Sequence, residues 1–338
     1  MWRAMAICGA IATGASPAAA DQILNELKTG GVEFILPDQV EIAEEKVFIS
    51  PDITRIEYRL HNPSAKSFDT YSSFPMPDIA GSLDGILNFD PAAGANFLGL
   101  EITQDAAKPE LTLQQRASIN GVDLTAELNA AHIPLVPQAA LDDELQKSLS
   151  AATIAVLEAH GLITLQERQD EPDNTAPVIV PRWTLSQTYS WKTVIPAKGD
   201  VIIKASYKTN LGGAVNVTFL DEQGAAKGDA FDNYRASYCV DANVIKAARD
   251  SFAHEKANKG PLYEERWATH VMTAFGDDTV PIGKFTLTID KGKTDNIVSF
   301  CGDGVKKISA TSFEMTKTDY TPERDIEVLF LQPSGFPK

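Results

Sequence analysis

The sequence is short of cysteine, of cations and of catalytic signatures, and each shortage closes off a class of function. Cysteine occurs three times in 338 residues, at Cys8, Cys239 and Cys301, which leaves too few soft ligands for a zinc site. Lysine and arginine total 30 against 46 aspartates and glutamates, a formal charge of -16. Such a surface repels nucleic acid and anionic membranes, and otherwise serves solubility without naming a partner. No stretch reaches the roughly 20 apolar residues that a transmembrane span needs. His61, His132, His160, His254 and His270 show neither H-E-x-x-H spacing nor a neighbouring cysteine, so each reads as a surface or turn residue. A nucleophile elbow, a Walker phosphate loop and a dinucleotide-binding glycine run are all missing.

What is present starts with MWRAMAICGAIATGASPAAADQ. Arg3, the apolar run Ala4 to Ala12 and the small residues Ala18, Ala19 and Ala20 predict a signal peptide over residues 1–20, cleaved after Ala20. A buried N-terminal helix is the alternative, weakened by Gly9, Gly14 and Pro17, and Ile7 before Cys8 argues against a lipoprotein. Cleavage removes Cys8 and leaves Cys239 and Cys301 in an oxidising compartment, where an even count favours one disulfide over two separate thiols.

Residues 21–110 read as an N-terminal β region. In ITRIEYRL, Ile56, Tyr58 and Leu60 alternate with Arg55, Glu57 and Arg59, the period of a strand with one wet face. Val40, Ile42, Val47 and Ile49 form an extended run before it, and Ser50-Pro51-Asp52 is the turn between them. FPMPDI, with Pro75 and Pro77, predicts a rigid strand exit. Phe74 to Asp78 is then either a joint, its apolar residues packed inward, or an exposed lip for a peptide or lipid.

Residues 111–175 carry helical spacing at Leu141, Leu145, Leu149, Ile154, Leu157 and Leu162, a helical insertion that ends in the charged connector ERQDEPDNTAP. Residues 176–338 return to strands. TLSQTYSWKTVIP and DVIIKASYK read as a pair joined across Ala197, Lys198 and Gly199, and VNVTFL as a further strand. One amphipathic helix is expected over 240–256, with Asp241 as its N-cap. The expected fold class is mainly β (α+β): antiparallel β-sandwich-like regions with the insertion and that one helix.

The order of TGGVEFI, EEKVFISPD, FPMPDI, TYSWKTVIPAKG, YCVDANV, VPIGKFTLTID and SFCGDGVKKI resembles the exported bacterial proteins grouped as domain of unknown function 4424. The resemblance covers nearly the whole chain after the leader, and Gly30, Gly31, Pro75, Pro77, Trp191, Cys239, Gly283 and Cys301 are among the matching positions. It implies a periplasmic location and a largely β fold, and it implies no reaction.

Two candidates for chemistry remain. Asp221, Glu222, Asp229 and Asp232, around DEQGAAKGDAFDN, could hold calcium through oxygens, but without the D-x-D-x-D-G order a solvated loop is preferred. Trp191, sharing a strand face with Tyr189, fits a sugar platform or a sandwich core, the core being favoured. The expected function is a non-enzymatic binding or scaffold module of the cell envelope. Its partner would be a protein or envelope component, met at sheet edges or at the Phe74 to Asp78 surface with Trp191. The alternative is a carbohydrate binder or carboxylate-dependent hydrolase using Asp229, Asp232 and Trp191, and it requires those side chains to converge.

Overall fold

A computed structural model describes residues 23–81, 86–141, 143–167, 177–272 and 280–335. The leader and its cleavage site, the turn over Gly276 to Asp278 and most of the ERQDEPDNTAP connector lie outside these described residues. The fold is mainly β. Its long strands are β1 (Glu41–Ile49), β2 (Ile53–Asn62), β3 (Phe68–Ala80), β4 (Thr112–Ile119), β5 (Thr184–Ile195), β6 (Gly199–Lys208), β7 (Tyr263–Val271), β8 (Ile282–Asp290), β9 (Ser312–Tyr320) and β10 (Ile326–Pro333). The longer helices are α1 (Ala151–Ala159), α2 (Asp229–Tyr238) and α3 (Ala242–Lys256).

Three sheets share the main core. The first runs β9-β8-β1-β2-β6, with Lys306–Lys307 and Glu101–Gln104 at its edges. The β8–β1 pairing is parallel and the others are antiparallel. The second runs β4-β5-β3, flanked by Val122–Asp123 and Glu33–Phe34. The third centres on β7 and β10 and gathers short strands from both ends of the chain.

Alternation decides which side chains fill that core. On β2 Ile56, Tyr58 and Leu60 are buried, as are Val201, Ile203 and Ala205 on β6 and Phe285, Leu287 and Ile289 on β8. The wet face of the first sheet holds a ladder of compensated charges, in which Glu57 accepts Lys46 at 2.9 Å and Lys204 at 2.7 Å. At such exposure these pairs favour the register and add little stability.

β5 and β6 are not the hairpin that their sequence suggests. β5 pairs with β3 in the second sheet, whereas β6 pairs with β2 in the first. The chain changes sheets at Pro196 to Lys198, beside the place where β2 hands over to β3. Asn62, fully buried, ties the two corners by donating to Lys66 O at 2.7 Å and Pro196 O at 2.9 Å. A bend of this kind lets one paired ribbon serve two packed sheets. Local alternation cannot show it, because both strands alternate normally.

FPMPDI is not a strand exit either. It lies inside β3, the longest strand, at 13 residues. The amide direction alternates along a strand, and Tyr71 O accepts Ile35 N on the outer edge. Pro75 therefore turns its missing N–H to the side where Glu33–Phe34 has already ended. Pro77 falls in a bulge, since Gln187 faces Met76 while Leu185 faces Ile79. Edges and bulges are the places where a sheet tolerates proline.

The segment beginning at 111 opens with β4, a strand of the second sheet, before its helical part starts at Thr125. That part encloses a satellite core around Leu128, Leu157, Leu162 and Trp183. VNVTFL is not a strand: pairing covers only Gly212–Ala214, and Val215 is exposed. The loop is instead pinned by buried Glu265, which accepts Thr218 N at 3.1 Å, Thr218 Oγ1 at 2.9 Å and Tyr234 Oη at 2.8 Å. α3 forms as expected, with Asp241 accepting Asn243 N and Val244 N. α2 is an additional helix, and it packs Phe231 beside buried Phe219. Its Asp229 and Asp232 occupy the first turn, where carboxylates suit the helix dipole.

Candidate functional site

The structure joins Cys239 to Cys301, with Cα atoms 5.0 Å apart. Cys239 stands in the left-handed region at φ 52°, as the C-cap of α2, so the bridge fixes a helix end against the strand Ile297–Phe300. Phe74 and Met76 are buried, at 0% and 3% exposure, and Phe74 packs edge-on against Tyr207. They form no exposed lip. Pro77 is also buried, Asp78 is exposed, and Pro75 alone of this stretch reaches a cavity.

The residues needed for a carboxylate hydrolase do not converge. Trp191 is 2% exposed and donates through Nε1 to Gln104 Oε1 at 3.2 Å. Asp229 and Asp232 sit exposed on α2, which packs on the third sheet. The calcium candidate is likewise dispersed. Asp221 Oδ1 accepts Gln223 N and Ala225 N, Asp221 Oδ2 meets Lys227, and Asp232 pairs with Arg235. Among the described residues no group of three or more His, Cys, Asp or Glu side chains is placed to share a metal ion.

A different place stands out. Where the three sheets meet, a cavity of about 280 Å³ opens between the strand Glu33–Phe34, β1, β2, β3, β7 and β8. Val32, Phe34, Leu36, Ile42, Met272 and Ile282 supply its apolar wall, and its polar groups are Glu33, Glu45, Tyr58 and His270. That volume is worth roughly nine waters at liquid density, the scale of a small organic ligand.

Glu45 owes its place there to a register fault in β1. Ile42 faces inward, and so do Val47 and Ile49, an odd step that strict alternation forbids. A bulge between Ile42 and Glu44 resolves it and thereby turns Glu45 into the core, 4% exposed. Gly283 accommodates the bulge, since a Cβ there would stand 2.9 Å from Ala43 O.

Tyr58 then meets Glu45 from β2. Tyr58 is the direct cross-strand partner of Glu45, and its ring packs edge-on against Phe34, with centroids 5.0 Å apart. Gly31 makes this possible, because a Cβ there would overlap the Tyr58 hydroxyl oxygen. Gly31→Ala is therefore expected to destabilise the fold by about 2 kcal/mol through overpacking. A urea titration against the parent chain checks this, and an unchanged midpoint would show that the hydroxyl has room to move.

Burial sets the charge state of the cavity. It pushes the Glu45 carboxyl up to about 7, the Tyr58 hydrogen bond opposing only in part. It drives His270 down to about 4 against the pull of the Asp325 carboxylate. His270 Nδ1 lies 3.4 Å from Tyr207 Oη, and its Nε2 has no partner. An orphaned buried polar atom is uncommon, and here it belongs to a side chain that lines a cavity. The reading of every histidine as a surface or turn residue fails at His270, which is 2% exposed in the middle of the third sheet. The sequence did carry a signal for Glu45, namely the phase slip between Ile42 and Val47. It carried none for His270, because β7 is covered on both faces and shows no alternation.

A family model described as Domain of unknown function (DUF4424) matches residues 19–329. No curated protein matches the chain. Among solved structures it is similar to a protein of Legionella pneumophila subsp. pneumophila str. Philadelphia 1 described as a "putative nutrient binding protein". The identity is 10% and the TM-score 0.43, covering 90% of this chain and 70% of that one; a likeness so distant carries no functional argument. Gly30, Gly31 and Pro75, all within the matched span, line the cavity, and Cys239 and Cys301 make the clip. The chain belongs to the domain of unknown function 4424 family.

Proposed function

We propose that this chain is a non-enzymatic ligand-binding module of the bacterial envelope, working in the periplasm, and that its site is the cavity where the three sheets meet. The observation behind this reading is a preformed, mostly apolar chamber whose wall includes buried Glu45, Tyr58 and His270. Apolar walls with a few convergent polar groups are what small-molecule sites require. Among the described residues the lining has no serine, threonine, cysteine or lysine, and the binding reading rests on the cavity's apolar walls and few polar groups. The Cys239–Cys301 bridge suits an oxidising compartment. Among the described residues no helix is long and apolar enough to cross a membrane.

Titration calorimetry and methyl NMR with 1-hexanol, hexylamine and hexanoate, three probes sharing one tail, test the reading. At least one is expected to bind and to shift the methyl signals of Ile42 and Ile282. Val280→Trp, at the half-open rim, is expected to abolish that binding while leaving the unfolding midpoint close to the parent's. If no probe binds, or if binding survives Val280→Trp, the cavity is not the site.

A further inference from the structure

The cavity's charge is one-sided. Among the described residues its lining includes two carboxyl side chains, half-buried Glu33 and buried Glu45, and neither lysine nor arginine. Among the described residues Tyr58 of β2 lies directly opposite Glu45, Tyr320 of β9 feels its charge, His270 and Glu33 share the cavity lining, and Tyr207 of β6 is near Tyr58. None of them is a cation. The Glu45 carboxyl is therefore buried beside a phenol with no counter-charge among the described residues, so ionising it costs stability unless a cation pairs with it.

We propose, building on the binding reading above, that the ligand is a small organic amine with an apolar tail, its ammonium group paired with Glu45. Such a cation also meets the rings of Phe34 and Tyr58, an edge-on aromatic pair at 81°, and cations are attracted to aromatic faces. The alternatives fit less well. A carboxylate ligand would confront two carboxyls with no lysine or arginine among the described lining residues to offset them. A plain hydrocarbon would offer the buried Glu45 carboxyl no polar partner.

A proton balance follows from this pairing. In the free protein Glu45 keeps its proton up to about pH 7, whereas the ammonium requires the carboxylate. Below that pH each binding event breaks the Glu45 O–H bond and releases one proton to solvent. Affinity then rises about tenfold per pH unit as the pH approaches 7, and levels off above it.

Calorimetry on the full chain with hexylamine, 1-hexanol and hexanoate, at pH 6 and pH 8 and in two buffers of different ionisation heat, tests this. The expected result is that hexylammonium binds tightest, with close to one proton released at pH 6 and almost none at pH 8. Glu45→Gln is expected to weaken hexylammonium by tenfold or more and to leave hexanol within about twofold. The proposal is overturned if hexanol or hexanoate equals hexylammonium, if no proton is released at pH 6, or if Glu45→Gln binds hexylammonium unchanged. Should Glu45→Gln fail to fold, proton release by the parent chain decides alone. Binding by hexanol with none by hexylammonium sinks the amine and keeps the cavity; silence from all three sinks both.

Discussion

Raising the pH from 5 to 8 is expected to lower the stability of the folded chain by about 3 kcal/mol or more. Burial raises Glu45, Glu265 and Glu26 from the ordinary 4.5 to about 7. The folded state therefore holds protons that the unfolded chain has already released. The stability tied to these carboxyls is complete below 4.5 and is lost as the pH climbs through 7. Glu45 and Glu265 each account for roughly 2–3 kcal/mol of loss over that range. His270 acts in the opposite sense. Lowered from 6.5 to about 4, it stabilises fully above 6.5 and withdraws support as the pH falls through 4. It thus restores about 2 kcal/mol between pH 5 and 8. Urea titrations across the range measure the net slope. Glu45→Gln is expected to flatten it by roughly 2–3 kcal/mol, and a variant as steep as the parent would show that Glu45 is ionised in the folded state.

Removing the disulfide is the second large effect. Cys239→Ser with Cys301→Ser is expected to cost about 4 kcal/mol, since the bridge closes a 62-residue separation in the unfolded chain. The loss should centre on α2. Its last residue precedes a left-handed Cys239, and Arg324 donates to Ala236 O and Ser237 O to hold the same end. Hydrogen exchange is expected to show earlier opening of 229–238 than of β1 and β2. If oxidised and reduced protein unfold at the same urea concentration, the clip contributes nothing and its role in the fold is refuted.

Much of the architecture was legible along the chain. β2, β6 and β8 announce themselves by alternation and β1 by an extended apolar run, and the Ser50 to Asp52 turn is where it was expected, with Ser50 Oγ accepting Ile53 N. α3 was visible from its stripe and from Asp241. α2 was not, because Gly228 at its N-cap offers no side-chain bond and its acidic first turn looks like a solvated loop. The proline corner misled because proline forbids donation to a neighbouring strand, not extended backbone. Pro75 and Pro77 sit where no donor is required.

The candidate site was barely legible. Trp191 and Phe74 stand out as residue types and are core, whereas Glu45, Tyr58 and His270 looked ordinary and share the cavity. Glu45 falls within a wet-looking run, EEK, and only the phase slip from Ile42 to Val47 hints that it turns inward. Nothing in the sequence places β7 beside β1.

The chain by itself determined its excess of negative charge, the cysteine pair, the family and the predominance of strands. These depend on composition and on contacts between near neighbours. Tertiary structure alone decided that β5 and β6 part into different sheets, that a bulge against Gly283 turns Glu45 inward, and that Gly31 admits Tyr58 to meet it. Each of these depends on residues far apart along the chain, whose approach is set by packing rather than by local pattern.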